Sequence, residues 1–406
     1  MVEAFSSPVT SLYVHVPFCA QKCSYCAFFS EASSGEVINR YVAALVRELE
    51  LIAGDLRPRT VFFGGGTPSI LNANQWELIL QAMDRLKLLG AAEWTIECNP
   101  ATVSLDKARL LRSYGVNRIS MGVQSLNRDL LEKLGRVHSR EMAFKSYDIL
   151  RKAEFDNVNL DLMFAIPGQS LEVWRETLRE AVAMASDHLS SYEVIYEEDT
   201  PLYAQLQAGK VAEDEDLACA MYEELVDSAA RAGFQQYEVA NFAKSPSLAG
   251  GDAVPSVPIS AQPSTLNSTL LPTRACQHNV SYWRGASFYG AGPSATTYVR
   301  GVRSKNWSNT QLYCEQLETG RRAIESSEEL TPIARAGETA AFGLRMVSGW
   351  GFAEFRQVTG FDLREHWAGE MRELTDKGWG MLESESFRLT RDGLRFADSA
   401  AQLFLR

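Results

Sequence analysis

Three cysteines, Cys19, Cys23 and Cys26, fall in the run YVHVPFCAQKCSYC at the spacing C-x3-C-x2-C, with no fourth cysteine close in sequence. Three thiolates can hold three corners of a [4Fe–4S] cube and leave one iron open to a reacting ligand. A cluster that only carries electrons normally takes four protein thiolates. A zinc knuckle is the plain alternative, but structural zinc wants four ligands, usually as two close pairs.

Further along, polar and glycine-rich groups recur in order. They are Gly64-Gly65-Gly66-Thr67-Pro68, Glu97-Cys98-Asn99-Pro100, Gly122-Val123-Gln124-Ser125, then Asp161 and Pro167-Gly168-Gln169. Glycines without a Cβ let their amides approach a ligand, although a triple glycine also simply makes a tight turn. Glu97 is a carboxylate that a ligand ammonium would satisfy, or else a solvated strand terminus. Gln124 and Asp161 offer acceptors suited to ribose hydroxyls. Asp161 lies between Leu160 and Leu162, where an inward carboxylate is costly unless paired or liganded. Arg136 could grip a carboxylate bidentately, or lie on the surface.

The elements that must position these groups follow a βαβα rhythm. The pattern predicts strands over residues 12–16, 60–63, 94–97, 118–123, 158–164 and 189–195, with a weaker one over 237–240. Helices are expected over 37–53, 73–88, 105–114, 140–153, 171–184 and 213–232. Parallel strands covered by helices give an α/β fold, a full or partial (β/α) barrel of TIM type. In such a barrel the strand exits build the site, and each group above sits at or near one. Residues 1–244 make the barrel domain. Residues 245–275, rich in Ser, Pro, Ala and Gly, read as a flexible insertion. A linking segment over 276–308 leads to a helical domain over 309–406. That domain ends in a strand over 381–389, a turn over 390–393 and a helix over 394–404, a winged-helix-like end.

Composition narrows the partners. With 406 residues the chain is long enough for two to three domains. A net charge of −11 argues against nucleic acid or anionic lipid as a main partner. No apolar run reaches membrane-spanning length, so no integral membrane segment is expected. Residues 1–10 lack a basic stretch followed by an apolar core, so no secretory signal is expected. Seven irregularly spaced cysteines suit a reducing cytosol.

Taken together, YVHVPFCAQKCSYC, FFGGGTPS, TIECNP, NRISMGVQS with LGRVHS, NLDLMFAIPGQ and CQHNVSYW make a chain that resembles the radical S-adenosylmethionine (radical SAM) enzymes. Within them it resembles the branch of oxygen-independent coproporphyrinogen III oxidase (HemN) and the heme chaperone HemW. The resemblance implies that Cys19, Cys23 and Cys26 ligate the [4Fe–4S] cluster. It implies that Tyr13, Tyr25, Gly65, Gly66, Thr67, Glu97, Gln124, Arg136 and Asp161 contact S-adenosylmethionine. It also implies reductive cleavage to a 5′-deoxyadenosyl radical, with a one-electron donor protein as partner.

The oxidase carries a further cysteine two residues after the third ligand. This chain has Phe28 there. Its Gln277-His-Asn-Val-Ser-Tyr-Trp283 segment resembles the H-N-x-x-Y-W motif of HemW-like proteins. Both points favour the chaperone branch, which binds heme and hands it to an acceptor protein, with His278 the candidate heme-site residue. The oxidase, or another radical SAM enzyme, is the alternative. Ser24, Ala27, Phe29, Cys98 and Ser294 depart from the branch's usual residues, and Ser294 replaces a histidine.

Overall fold

Polar and apolar residues alternate within the strands of the first half of the chain, and that alternation assigns the two faces of a parallel sheet. In the computed structural model the strands are β1 (Val9–Val16), β2 (Leu56–Gly65), β3 (Glu93–Cys98), β4 (Arg118–Gln124), β5 (Val158–Phe164) and β6 (His188–Glu193). They pair in that order, each parallel to the next. One face carries Val14, Phe63, Trp94, Met121, Leu160 and Leu189, all buried. The other carries Tyr13, Phe62, Glu97, Ser120, Asp161 and Ser190. Cross-strand contacts confirm the second set as one face. Tyr13 stacks on Phe62, Thr60 donates to Ser11 at 3.1 Å, and Ser120 donates to Asp161 at 2.9 Å.

The structure describes residues 7–32, 34–245 and 271–406. The expected insertion over 245–275 therefore falls, for 246–270, outside the described residues. The chain divides into two units, Met1–Ser228 with Ala286–Glu329, and Ala229–Gly285 with Leu330–Arg406. Composition alone places boundaries at 244 and 308, because it cannot register a segment that returns to an earlier unit.

Helices α1 (Gly35–Ile52), α2 (Ala73–Arg85), α3 (Leu105–Ser113), α4 (Arg128–Lys133), α5 (Arg140–Lys152) and α6 (Leu171–Ala183) alternate with the strands. Ser34, Asn72, Asn127, Ser139 and Ser170 cap five of them by accepting first-turn amides. The short α4 lacks the length for a clear helical period and was not expected from the pattern. A strand from the returning segment, Tyr289–Ala291, lies parallel against the free edge of β1. The result is a partial (β/α) barrel.

Glu48 of α1 fastens that segment. Its fully buried carboxylate accepts from the Gly292 amide (2.8 Å), Asn306 Nδ2 (2.8 Å) and the Tyr313 hydroxyl (2.7 Å). Burial pushes the Glu48 pKa up, and these three donors oppose it.

The second unit packs the helices Pro332–Gly343, Phe352–Thr359, Leu363–His366 and Ala368–Asp376 with three short strands. Trp350, Phe355, Trp367, Phe387 and Phe404 lie in its core. The strand expected over 381–389 is instead a hairpin of Gly380–Leu382 and Ser386–Leu389. The chain reverses where Glu383 N donates to Ser386 O at 2.9 Å. Thr390 then caps a helix, Arg391–Arg395, rather than continuing a turn. Among the described residues no helix is long and apolar enough to cross a membrane.

Replacing Glu48 by Ala strips three buried donors of their acceptor. This is expected to cost about 3 kcal/mol or more, read as a lower midpoint in urea unfolding of the full chain.

Candidate functional site

The cysteine loop follows β1 and is closed at its base. Glu31 N donates to Pro17 O (2.8 Å), and Cys19 N donates to Glu31 O (3.1 Å). Ser24 pins the far side. Its amide donates to Leu134 O (3.1 Å), its hydroxyl to Lys133 O (2.8 Å), and its carbonyl accepts from Leu202 N (2.9 Å). Tyr25 packs with Leu134, Val194 and Leu202 beside it. The residue at position 24, a departure from the branch's pattern, thus has a structural task here.

The exit of β2 grips the same loop. Gly66 N donates to Val16 O (2.9 Å) and Thr67 N to Phe18 O (2.7 Å). A Cβ on Gly66 would sit 2.7 Å from Phe18 O, and one on Gly65, whose φ is +101°, would clash with the His15 ring at 2.4 Å. These glycines are therefore required by the close passage of the β1 loop over β2. The Gly65 amide donates to Glu97 Oε2 at 3.2 Å.

Around the cysteines, Cys19 Sγ lies 3.5 Å from Thr67 Oγ1, and Arg136 Nη1 donates to Cys23 Sγ at 3.5 Å. Arg136 Nη2 donates to Gly122 O (2.6 Å), while its Nε is buried with no hydrogen-bond partner among the described residues. Gln124 adopts a left-handed φ of +63° just after a register shift between β4 and β5. A bulge of this kind re-aims a side chain at a strand exit. The His138 ring supports it by donating from Nε2 to Val123 O at 3.0 Å. Burial, then the Arg136 charge, push the His138 pKa down to about 4, so it is neutral at pH 7. On β1, His15 Nε2 donates to Phe29 O (2.8 Å), which leaves Nδ1 to accept from the Tyr13 hydroxyl (3.0 Å).

Two carboxylates differ in their support. Asp161 accepts from Ser120 Oγ (2.9 Å) and Asn159 Nδ2 (2.8 Å). Burial raises its pKa, against those donors and the Arg118 charge. Glu97 has the Gly65 amide. Burial, then the Asp161 charge, push its pKa up to about 8.

Tyr13, Cys19, Cys23, Tyr25, Cys26, Gly65, Gly66, Thr67, Glu97, Gln124, Arg136 and Asp161 are all partly exposed, though most border buried residues. They come from five strands and three loops of one unit. His278 belongs to the second unit. It lies in the helix Gln277–Trp283, is 1% exposed, and has Nε2 3.0 Å from the Tyr282 hydroxyl. Among the described residues no three His, Cys, Asp or Glu side chains stand close enough to hold one metal ion. A cube binds each thiolate at a different iron, so its ligands stand farther apart than those of a single ion.

The residues fit a cluster with an anionic, hydroxyl-bearing ligand. Three reachable thiols share the mouth with a guanidinium whose Nε is unspent, and with two recessed carboxylates. The sequence reading missed Arg118, Ser120, Asn159 and His188, which share the Asp161 face. Their signal was polarity at every second position of β4 and β5 and at the start of β6.

Residues 13–181 match the family model of the radical SAM superfamily, and residues 330–396 that of the HemN C-terminal domain. The heme chaperone HemW of Lactococcus lactis is 30% identical over 97% of this chain and 97% of its own length. The heme chaperone HemW of Escherichia coli is 30% identical over 98% of each chain. The solved structure of coproporphyrinogen III oxidase (HemN) from Escherichia coli aligns with a TM-score of 0.79 at 20% identity, covering 99% of this chain and 91% of that one. The partial barrel and its three-cysteine loop define a radical SAM protein. The chain belongs to that superfamily, in the family of proteins named heme chaperone HemW. The superfamily implies S-adenosylmethionine and a [4Fe–4S] cluster as its cofactors.

A Gly66→Ala change forces the cysteine loop away from β2. It is expected to cost about 1–3 kcal/mol and to lower the iron bound per chain after anaerobic reconstitution, measured by iron assay.

Proposed function

We propose that this protein binds heme and delivers it to acceptor proteins in the cytoplasm, and carries a [4Fe–4S] cluster with S-adenosylmethionine at its barrel mouth. The observation that carries the reading is the near-full-length similarity to relatives named as heme chaperones. Phe28 separates it from the oxidase branch. It is 69% exposed beside the third cysteine, where that branch places a further thiol.

In this reading Cys19, Cys23 and Cys26 hold the cluster. Arg136, with its spare Nε, takes the ligand's carboxylate, and Glu97 its ammonium. Asp161 and Gln124 accept from the ribose hydroxyls. Tyr13, Tyr25, Gly65, Gly66 and Thr67 complete the wall. When bound and reduced, the cluster supplies one electron to the sulfonium, and a donor protein renews it. His278 is the heme-site residue, and the Tyr282 hydroxyl must release its Nε2 before that nitrogen can meet iron.

Three outcomes are expected. Heme added to the anaerobically reconstituted protein gives a saturating absorbance change that His278→Ala weakens, while coproporphyrinogen III is not converted. A vinyl-porphyrin product would overturn the chaperone reading. Replacing Cys19, Cys23 and Cys26 together by Ala removes the brown cluster chromophore.

The third outcome concerns protons. With a pKa of about 8, Glu97 is about nine-tenths protonated at pH 7. It must lose its proton to receive an ammonium. Affinity for S-adenosylmethionine is therefore expected to rise with pH up to about 8, and near pH 7 binding should release a proton. Calorimetry in buffers of different ionisation enthalpy reads that release, which Glu97→Gln should remove.

A further inference from the structure

Behind Asp161 lies a chain of buried polar side chains to which neither the cluster nor its ligand has a claim. Asn159, two residues earlier on β5, is 1% exposed, and its amide is bonded on both sides. Nδ2 donates to Asp161 Oδ1 (2.8 Å) and to Ser120 Oγ (2.7 Å). Oδ1 accepts from Ser190 Oγ (3.2 Å) and from His188 Nδ1 (2.6 Å). Asp161 Oδ1 is the acceptor in its bond with Nδ2, and that bond fixes which way the amide faces. That in turn puts the proton of the neutral His188 ring on Nδ1, because an amide oxygen cannot donate. Burial, then the Arg118 charge, hold His188 well below its usual pKa, which keeps the ring neutral. Ser120 passes its own proton to Asp161 Oδ2 (2.9 Å).

Every hydrogen in this run points toward Asp161, and Asp161 is the member left partly exposed. Asn159 Nδ2 donates to Oδ1 and Ser120 Oγ to Oδ2, with the Ser190 hydroxyl also in hydrogen-bonding reach of the carboxylate, so the inner edge fixes the plane of the group and leaves its partly exposed edge for a ligand. Two oxygens held in one plane with outward lone pairs match two neighbouring hydroxyls.

We propose that Asn159 is a positioning residue, oriented by His188, that presents Asp161 to a vicinal diol of the bound nucleoside. The assignment rests on the reading of the barrel mouth as the S-adenosylmethionine site. Asn159 touches no ligand and acts through Asp161 alone. Substituting it should therefore weaken recognition of the ribose hydroxyls and not of the rest of the molecule.

The test uses the reconstituted full chain and two ligands, S-adenosylmethionine and its 2′,3′-dideoxy analogue, with dissociation constants for wild type, Asn159→Ala and Ser120→Ala. Ser120→Ala deletes a single oxygen and guards against misfolding of the first variant. Asn159→Ala is expected to weaken S-adenosylmethionine by about tenfold or more, the range for a hydrogen bond to a charged group. Ser120→Ala should weaken it to a smaller extent. Both variants should bind the dideoxy analogue as wild type does. Equal loss for both ligands in both variants, or no loss for either, overturns the positioning role. Failure of wild type to bind S-adenosylmethionine at all would instead overturn the reading of the mouth.

Discussion

A parallel sheet with charge on one face is the constraint from which the rest of the first unit follows. Strands of such sheets are usually apolar on both faces, because helices cover one and a packed core fills the other. Here Glu97, Arg118 and Asp161 share one face with Ser120, Asn159 and His188. Groups of this kind cannot be left dry and unpaired. Glu97 takes a backbone amide, and Asp161, Ser120, Asn159 and His188 are satisfied sideways, strand to strand, by side-chain hydrogen bonds that run across β4, β5 and β6. The same bonds fix the register of the three strands, since a slip of one residue would turn every one of these groups into the helical layer.

The cysteine loop depends on this frame at one remove. It has no regular structure of its own. Its shape comes from the β2 exit on one side, through Gly66 and Thr67, and from the end of α4 on the other, through Ser24. Arg136 then joins the loop to the sheet, since one guanidinium reaches both Cys23 Sγ and the Gly122 carbonyl. The thiols are thus held at the mouth by contacts with elements more than forty residues away in sequence, as with Cys19 and Thr67.

This explains what the sequence could and could not disclose. The strand Val158–Phe164 was read at its true limits because its apolar run is bounded by turn residues. Asp161 was noticed because a lone charge between leucines has an obvious cost. Asn159 and Ser120 were passed over, since a neutral polar residue in a strand carries no such signal, and His188 lies one residue before the expected start of β6. The glycines after β2 were legible as glycines, but their reason lay in His15 and Phe18. The return of Ala286–Glu329 to the first unit was beyond local reading, because the bond from Tyr313 to Glu48 spans 265 positions.

The two carboxylates of the mouth share a burial that raises both pKa values but differ in their support. Asp161 has neutral donors on both oxygens and Arg118 nearby, so its orientation is settled before a ligand arrives. Glu97 has only the amide of Gly65 and the same Arg118 charge against the repulsion of Asp161, so its charge is less well supported. A rigid acceptor suits hydroxyls, whose recognition depends on direction. An under-supported carboxylate suits a cation, whose arrival supplies the missing counter-charge. In the proposed reading of the mouth, exchanging the supports would spoil both tasks. A loosely held Asp161 would lose its angular selectivity, and a fully hydrogen-bonded Glu97 would gain less from an ammonium. On that reading, the uneven supply of donors across β3 and β5 divides the labour between two groups that are chemically almost identical.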